Sequence, residues 1–555
     1  MLRNRTALIS RVTAIIRNQR SIWSFQTFKI MKNARFTPKI NYNYQQNRYH
    51  ITETIKIPNG YYQGFIEITP GNKTPILFAF EKHPKLQVRA SITMDGCKFP
   101  VESITCSRTN FSLQVKAPLM FGFTGNYSPE DQIFEGEFLQ GNTAFPVKLT
   151  HISPDEIIKP KRIQEPKAPF PYETHEVEFS HVQDYENFGK IEVLLTGTLS
   201  IPKTKNKKFP TVVLVSGAGV HNRNEEINGH KYFLVLADYL TRNGVAVLRY
   251  DDRSLPKSPI RYLESKKTVP PDYIGGIGSC TTFDFVKDLA CAVNYLKTSK
   301  YSSLFSEIGV IGHSDGGNVA SIAAAENEMA KDLINFIILL GSSALPGDQT
   351  FAQQFQRVFR AYGMDESLLL EYYAVYCDCI EFSKSIPWTN YGKPADVDKI
   401  NAITLAIQNR YAEFARKLTD QQKIELNFSP NPNEFLASVG QQTKIFSSVW
   451  FSNVLRLDPE NYLSKVKCNV YALYGSKDLQ RDPAENATRL KAILQKNSNK
   501  PHHEISILEN LNHLLQKCKT GAPSEYFEIQ ETINPSALHQ IQSWITSHSK
   551  RNSKK

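Results

Sequence analysis

The decapeptide at residues 308–317, IGVIGHSDGG, sets a single hydroxyl among glycines. Within it Gly312-His313-Ser314-Asp315-Gly316 fits the pattern G-x-S-x-G. A serine hydroxyl is a poor nucleophile until the backbone exposes it and a base takes its proton. Residues 308–311 read as a buried strand and Asn318 onward as a helix, so Ser314 falls on a tight strand-to-helix turn. Side chains at the flanking positions of such a turn would clash, which is why they are glycine. The N–H of Asp315 then opens the new helix and can face a developing oxyanion. A second donor is expected from Ser216-Gly217-Ala218-Gly219, a glycine-rich loop after the apolar run TVVLV, with the Ala218 N–H as the expected group.

An exposed serine still needs a base, and the base needs an orienting carboxylate. Downstream, NVYALYG is followed by Ser476-Lys477-Asp478, which puts Asp478 at the end of a strand. EISILEN is followed by Leu511-Asn512-His513, which puts His513 in the loop past the last strand. The expected roles are Ser314 as attacking group, His513 as proton carrier and Asp478 as the group that fixes the imidazole tautomer. His502 and His503 precede their strand, and His539 and His548 belong to the final helix. Such a site cleaves acyl compounds through an acyl-enzyme, with no metal and no organic cofactor.

These side chains are far apart in sequence, so a single sheet must bring them together. From about residue 175, strand-like runs (PTVVLVSGAG, GVAVLRYDD, EIGVIGHSDGG, INFIILLGSS, NVYALYGSKD, HEISILEN) alternate with helical stretches. Near-continuous apolar runs suit parallel strands buried on both faces, so the expected class is α/β with a mostly parallel sheet. About 346–466 is far longer than a normal connection and is helical and aromatic, so it is read as an inserted helical cap. Phe351, Phe355, Phe359, Tyr372, Tyr373, Tyr376, Trp450 and Phe451 fall there. Some could line an acyl pocket, and most are expected to pack the cap's own core.

Residues 53–155 instead show short alternating segments such as GFIEI, PILFAFE and FPVKLTHI, broken by turn residues. Period-two alternation predicts an antiparallel β-meander, closed as a small barrel or sandwich. Residues 156–174, rich in proline and charge, read as a linker. The hydrolytic domain is expected over 175–546, between a basic leader at 1–52 and a basic tail at 547–555.

The stretches LVSGAGVHNRNEEINGHKYFLVLADYLTRNGVAVLRYDDR, IGVIGHSDGGNVASIAA, VYALYGSKDLQ and LNHLLQKCKTGAPSEYFEIQETINP resemble the α/β-hydrolase superfamily. More narrowly, the chain is similar to a bacterial esterase group, loosely termed serine aminopeptidase-like, that carries an N-terminal β domain. The resemblance spans about 57–546. It implies serine-dependent hydrolysis of carboxylic esters, with nucleophile, acid and base falling on Ser314, Asp478 and His513. Two departures stand out. Where that group usually reads YDDRGxGKS, this chain has YDDRSLPKS at 250–258, and Asp315 stands where glutamate is more frequent. Asp251, Asp252 and Arg253 are expected to form a structural charge network.

The net charge of +12 raises the question of nucleic-acid binding. Ten Lys/Arg and no acid lie in residues 1–52, and four more basic residues lie in SKRNSKK at the end, so residues 53–549 carry a net −2. No phosphate-binding face follows, and nucleic acid is excluded as a partner. The eight cysteines form no CxxC pair, which argues for free thiols in a reducing or matrix-like compartment. The leader is Arg-rich, acid-free and amphipathic, the pattern of a mitochondrial presequence in a eukaryote; without that function the protein would be cytoplasmic. No apolar run reaches the length of a membrane span. The expected partner is a small-molecule ester or acyl compound. Alternatives are an acyl-CoA thioesterase, a serine peptidase, or a catalytically silent ligand-binding protein.

Overall fold

A computed structural model describes residues 50–51 and 59–552, apart from short stretches at 70–71, 84–86, 95–96, 107–110, 116–120, 141–142, 158–160, 186–188, 205–207, 256, 266, 268–279, 388–396 and 427. The basic leader therefore lies almost wholly outside the described residues, as does the end of the tail.

Residues 60–152 form an antiparallel meander in which each strand pairs with the next. Strand Gly60–Thr69 also pairs with Thr143–Ile152, and this last contact closes eight strands into a barrel. A two-residue strand, His50–Ile51, lies parallel to Cys97–Cys106. Inward residues Ile66, Phe78, Phe80, Phe111, Phe123, Phe134 and Phe138 are buried, so alternation along each strand fills the interior with rings.

The second sheet has eight strands on its path: β1 (Tyr172–Tyr185), β2 (Gly189–Pro202), β3 (Phe209–Val215), β4 (Ala246–Tyr250), β5 (Phe305–His313), β6 (Ile334–Leu340), β7 (Asn469–Gly475) and β8 (His503–Leu508). Their spatial order is β1-β2-β4-β3-β5-β6-β7-β8. β1 and β2 are antiparallel to their neighbours and the rest run parallel. Strand β1 starts inside the stretch read as linker, and His503 opens β8 instead of preceding it.

Successive residues of the central strands face opposite cores. Val213, Val310, Ile337 and Leu339 point to one side with helices α2 (Thr282–Thr298) and α3 (Gly316–Glu326), while α1 (Tyr232–Arg242) covers the other. Val212, Leu214, Ile311 and Ile338 point to that second side. Two buried faces explain why these strands read as unbroken apolar runs. Between β6 and β7 lie helices from Gly347–Ala361 through Glu460–Leu463, inserted in the sheet's connectivity. Among the described residues no helix is long and apolar enough to cross a membrane.

Candidate active site

Ser314 follows the last residue of β5 and takes φ 53°, the left-handed region that a serine adopts only under constraint. The glycines around it are required by contact. A Cβ on Gly312 would meet the Gly316 carbonyl oxygen at 2.3 Å, and one on Gly316 would meet the Val215 oxygen at 2.3 Å. The second contact shows that helix α3 begins directly against the end of β3. The glycine-rich loop after β3 is equally close, since a Cβ on Gly217 would lie 3.1 Å from Ser314 Cβ.

His513 and Asp478 meet as a buried pair, with Nδ1 of the imidazole 2.8 Å from Asp478 Oδ2. The other carboxylate oxygen, Oδ1, accepts the N–H groups of Gln480 and Arg481, both at 2.8 Å. That grip leaves Oδ2 aimed at the ring and holds a hydrogen on Nδ1, so Nε2 keeps its lone pair. The turn after β6 brings this pair and the serine to one place. The Ser314 N–H donates to the Leu340 carbonyl at 2.8 Å. At the next residue, Gly341 (φ 56°), a Cβ would stand 3.1 Å from His513 Nδ1 and 3.4 Å from Asp478 Oδ2. Ser314 Oγ itself makes no hydrogen bond among the described residues.

The Ala218 and Asp315 N–H groups likewise find no acceptor among the described residues, whereas the Gly217 N–H is taken by Glu225 Oε1 at 2.7 Å. Both Ala218 and Asp315 line a cleft with Val215, Tyr250, Phe285, Val319 and Trp450. Of the eight aromatic residues singled out in the insert, only Trp450 reaches that wall. Phe355 stacks on Tyr376 (4.2 Å between ring centres) and Tyr372 on Phe414 (4.7 Å), and Phe351 meets Phe451 (5.0 Å). Tyr250 on β4 and Phe285 on α2 were not singled out, because nothing in their spacing tells a cleft wall from a core.

Asp251, Asp252 and Arg253 do not pair with one another. Asp251 binds the backbone and guanidinium of Arg223, and Asp252 takes the Ser216 hydroxyl (3.0 Å) and the His221 N–H (2.7 Å). Burial pushes the Asp252 carboxyl up to about 7. Arg253 turns away to Asp288 on α2. Ser254, where the related pattern has glycine, is held at φ 72°. Each acid thus secures the glycine-rich loop from its own side.

Sheet order, the serine turn after β5, the acid after β7 and the histidine loop after β8 together define an α/β-hydrolase fold. No family model matches the chain. Esterase EstD of Thermotoga maritima is 21% identical over 375 residues, which cover 67% of this chain and 70% of that protein. Solved structures that align include the Pyrococcus furiosus esterase Pf2001, 14% identical with a TM-score of 0.34, over 71% of this chain and 97% of that one. Est1E of Butyrivibrio proteoclasticus is 13% identical with a TM-score of 0.31, over 68% of this chain and 100% of that one.

Proposed function

We propose that the protein hydrolyses carboxylic esters through a Ser314 acyl-enzyme. The observation that carries this reading is the convergence at Leu340–Gly341 of a strained, glycine-flanked serine and a buried histidine–aspartate pair. Similarity to an esterase supports the choice of ester as substrate.

In this mechanism Ser314 Oγ attacks the ester carbonyl carbon while His513 Nε2 takes its proton. The carbonyl oxygen becomes an oxyanion that the Ala218 and Asp315 N–H groups stabilise. Collapse breaks the bond to the alcohol oxygen, which leaves with the proton from His513. Water, deprotonated by the same imidazole, then releases the acid and restores Ser314. Tyr250, Phe285, Val319 and Trp450 offer apolar surface to the acyl group.

A fluorophosphonate probe is expected to label the protein, and Ser314→Ala to abolish the label while leaving the circular dichroism spectrum unchanged. Undiminished labelling of that variant would end the proposal. The acid limb of the pH profile gives a second test. Burial is the largest influence on His513 and favours the neutral ring; Asp478 opposes it without prevailing, so the imidazole titrates below its ordinary 6.5. The neutral ring is the active form, so the half-maximal point on the acid limb of kcat/KM for a neutral ester is expected below pH 6.5. A half-maximal point above that value would contradict it.

A further inference from the structure

The loop after β3 presents successive N–H groups at Gly217, Ala218 and Gly219, and an oxyanion hole works only if the correct one is left free. Glu225 takes one of them out of play. Its Oε1 accepts the Gly217 N–H at 2.7 Å and also lies 2.8 Å from Nδ1 of His313, the residue before Ser314. The Glu225 side chain is wholly buried and its backbone is left-handed, φ 44°. On the far side of the ring, His313 Nε2 lies 3.4 Å from the carbonyl oxygen of His513.

A carboxylate and a carbonyl can only accept, so a ring with hydrogen on both nitrogens satisfies both contacts at once. Burial works against the charge of such a ring, but the Glu225 carboxylate outweighs it and raises the proton affinity of His313. The Tyr232 ring, 4.8 Å away, covers the imidazole. Desolvation offsets most of the attraction in a buried ion pair, so its use lies in fixing geometry. Here one carboxylate joins three segments that the chemistry needs in register: the oxyanion loop, the serine turn and the histidine loop.

We propose that Glu225 is a positioning residue for ester cleavage, which locks these three segments through His313 and the Gly217 N–H and leaves the Ala218 N–H, at the cleft wall, free to donate. The inference rests on the serine-hydrolase reading above. Without the carboxylate's charge, His313 no longer pins the side chain, so the acceptor for the Gly217 N–H and the loop it holds lose their fixed register, and the loss falls on the state in which the oxyanion exists.

Glu225→Gln keeps the shape and one acceptor oxygen but removes the charge that holds His313. With a nitrophenyl ester, and enzyme counted by fluorophosphonate titration, kcat is expected to fall about 10- to 100-fold, up to the worth of one oxyanion donor, with KM little changed. Affinity for a trifluoromethyl ketone, whose adduct with Ser314 carries the same oxyanion, is expected to fall by the same factor. A purely structural role would lower Tm and leave kcat and inhibitor affinity of the titrated enzyme at wild-type values; that result overturns the proposal. If Glu225→Gln does not fold, His313→Asn tests the same link from its other end, and the same correlated loss is expected. Wild-type enzyme inert toward every ester would overturn the hydrolase reading itself. Active wild type with undiminished variants would remove only the role of Glu225.

Discussion

His513→Ala is expected to lower kcat for ester hydrolysis by roughly a million-fold, and Asp478→Asn by about ten-thousand-fold, with KM nearly unchanged in both. The two numbers differ for a physical reason. Without the imidazole, the serine proton loses the acceptor assigned to it. Without the carboxylate, the imidazole remains but loses its orientation. In Asp478→Asn the side-chain amide could still offer its oxygen to the Gln480 and Arg481 N–H groups that hold Asp478 Oδ1, so the loop would keep its shape. The amide nitrogen would then face His513 Nδ1, which lies 2.8 Å from Oδ2 of the native carboxylate, and force the hydrogen onto Nε2, where it blocks proton uptake. Steady-state kinetics on purified variants checks both values. His513→Ala retaining more than about a hundredth of wild-type kcat would remove this histidine from the mechanism.

How much of this was legible in the sequence depended on burial. Strands β3, β5, β6 and β7 were read as strands because both of their faces meet helices, so nearly every residue is apolar. Strand β1, whose first three residues fall in the stretch read as linker and whose remainder opens the expected hydrolytic domain, carries no such run because it sits at the sheet's edge. It pairs on one side only, and its exposed Glu173, Thr174, Glu178 and Ser180 break the apolar run that marked the others. At the candidate site, Ser314, Asp478 and His513 stand out in the sequence as candidates because each follows a strand end, and the contact of His513 with Asp478 is the part that the fold displays. Glu225 and His313 could not be paired: 88 residues separate them, and a lone acid in a loop carries no sign of its partner. The aromatic insert shows the same limit. Periodicity marks Phe355 and Tyr372 as buried, but only packing shows that Trp450, and not they, reaches the cleft.

Arg253→Met is expected to destabilise the protein by about 3–5 kcal/mol at pH 7, the cost of stranding buried charge. The guanidinium is fully buried and grips Asp288 through two nitrogens, at 2.6 and 2.7 Å, with the Asp284 carbonyl at 2.8 Å. His181 on β1 also meets Asp288, at 2.7 Å, so the cluster ties the edge of the sheet to α2. Burial alone would raise both carboxyls, but Arg253 reverses this and holds Asp284 and Asp288 below their ordinary 3.8. Carboxylates whose folded pKa is depressed contribute stability above their unfolded pKa and lose it as pH falls through the folded one. In the wild type this contribution is therefore flat between about pH 7 and pH 5. In Arg253→Met the cation is gone, and burial, the largest influence on each carboxyl, is opposed only by Thr281, Gln183 and Lys287 at Asp284 and by His181 at Asp288, so the folded pKa values are expected to rise above the unfolded ones. The folded state then binds more protons than the unfolded state, and stability grows as pH falls from about 7 toward 5. Urea unfolding of both proteins at the two ends of that range tests the sign. Equal loss at the two pH values would show that Arg253 acts through packing, not charge.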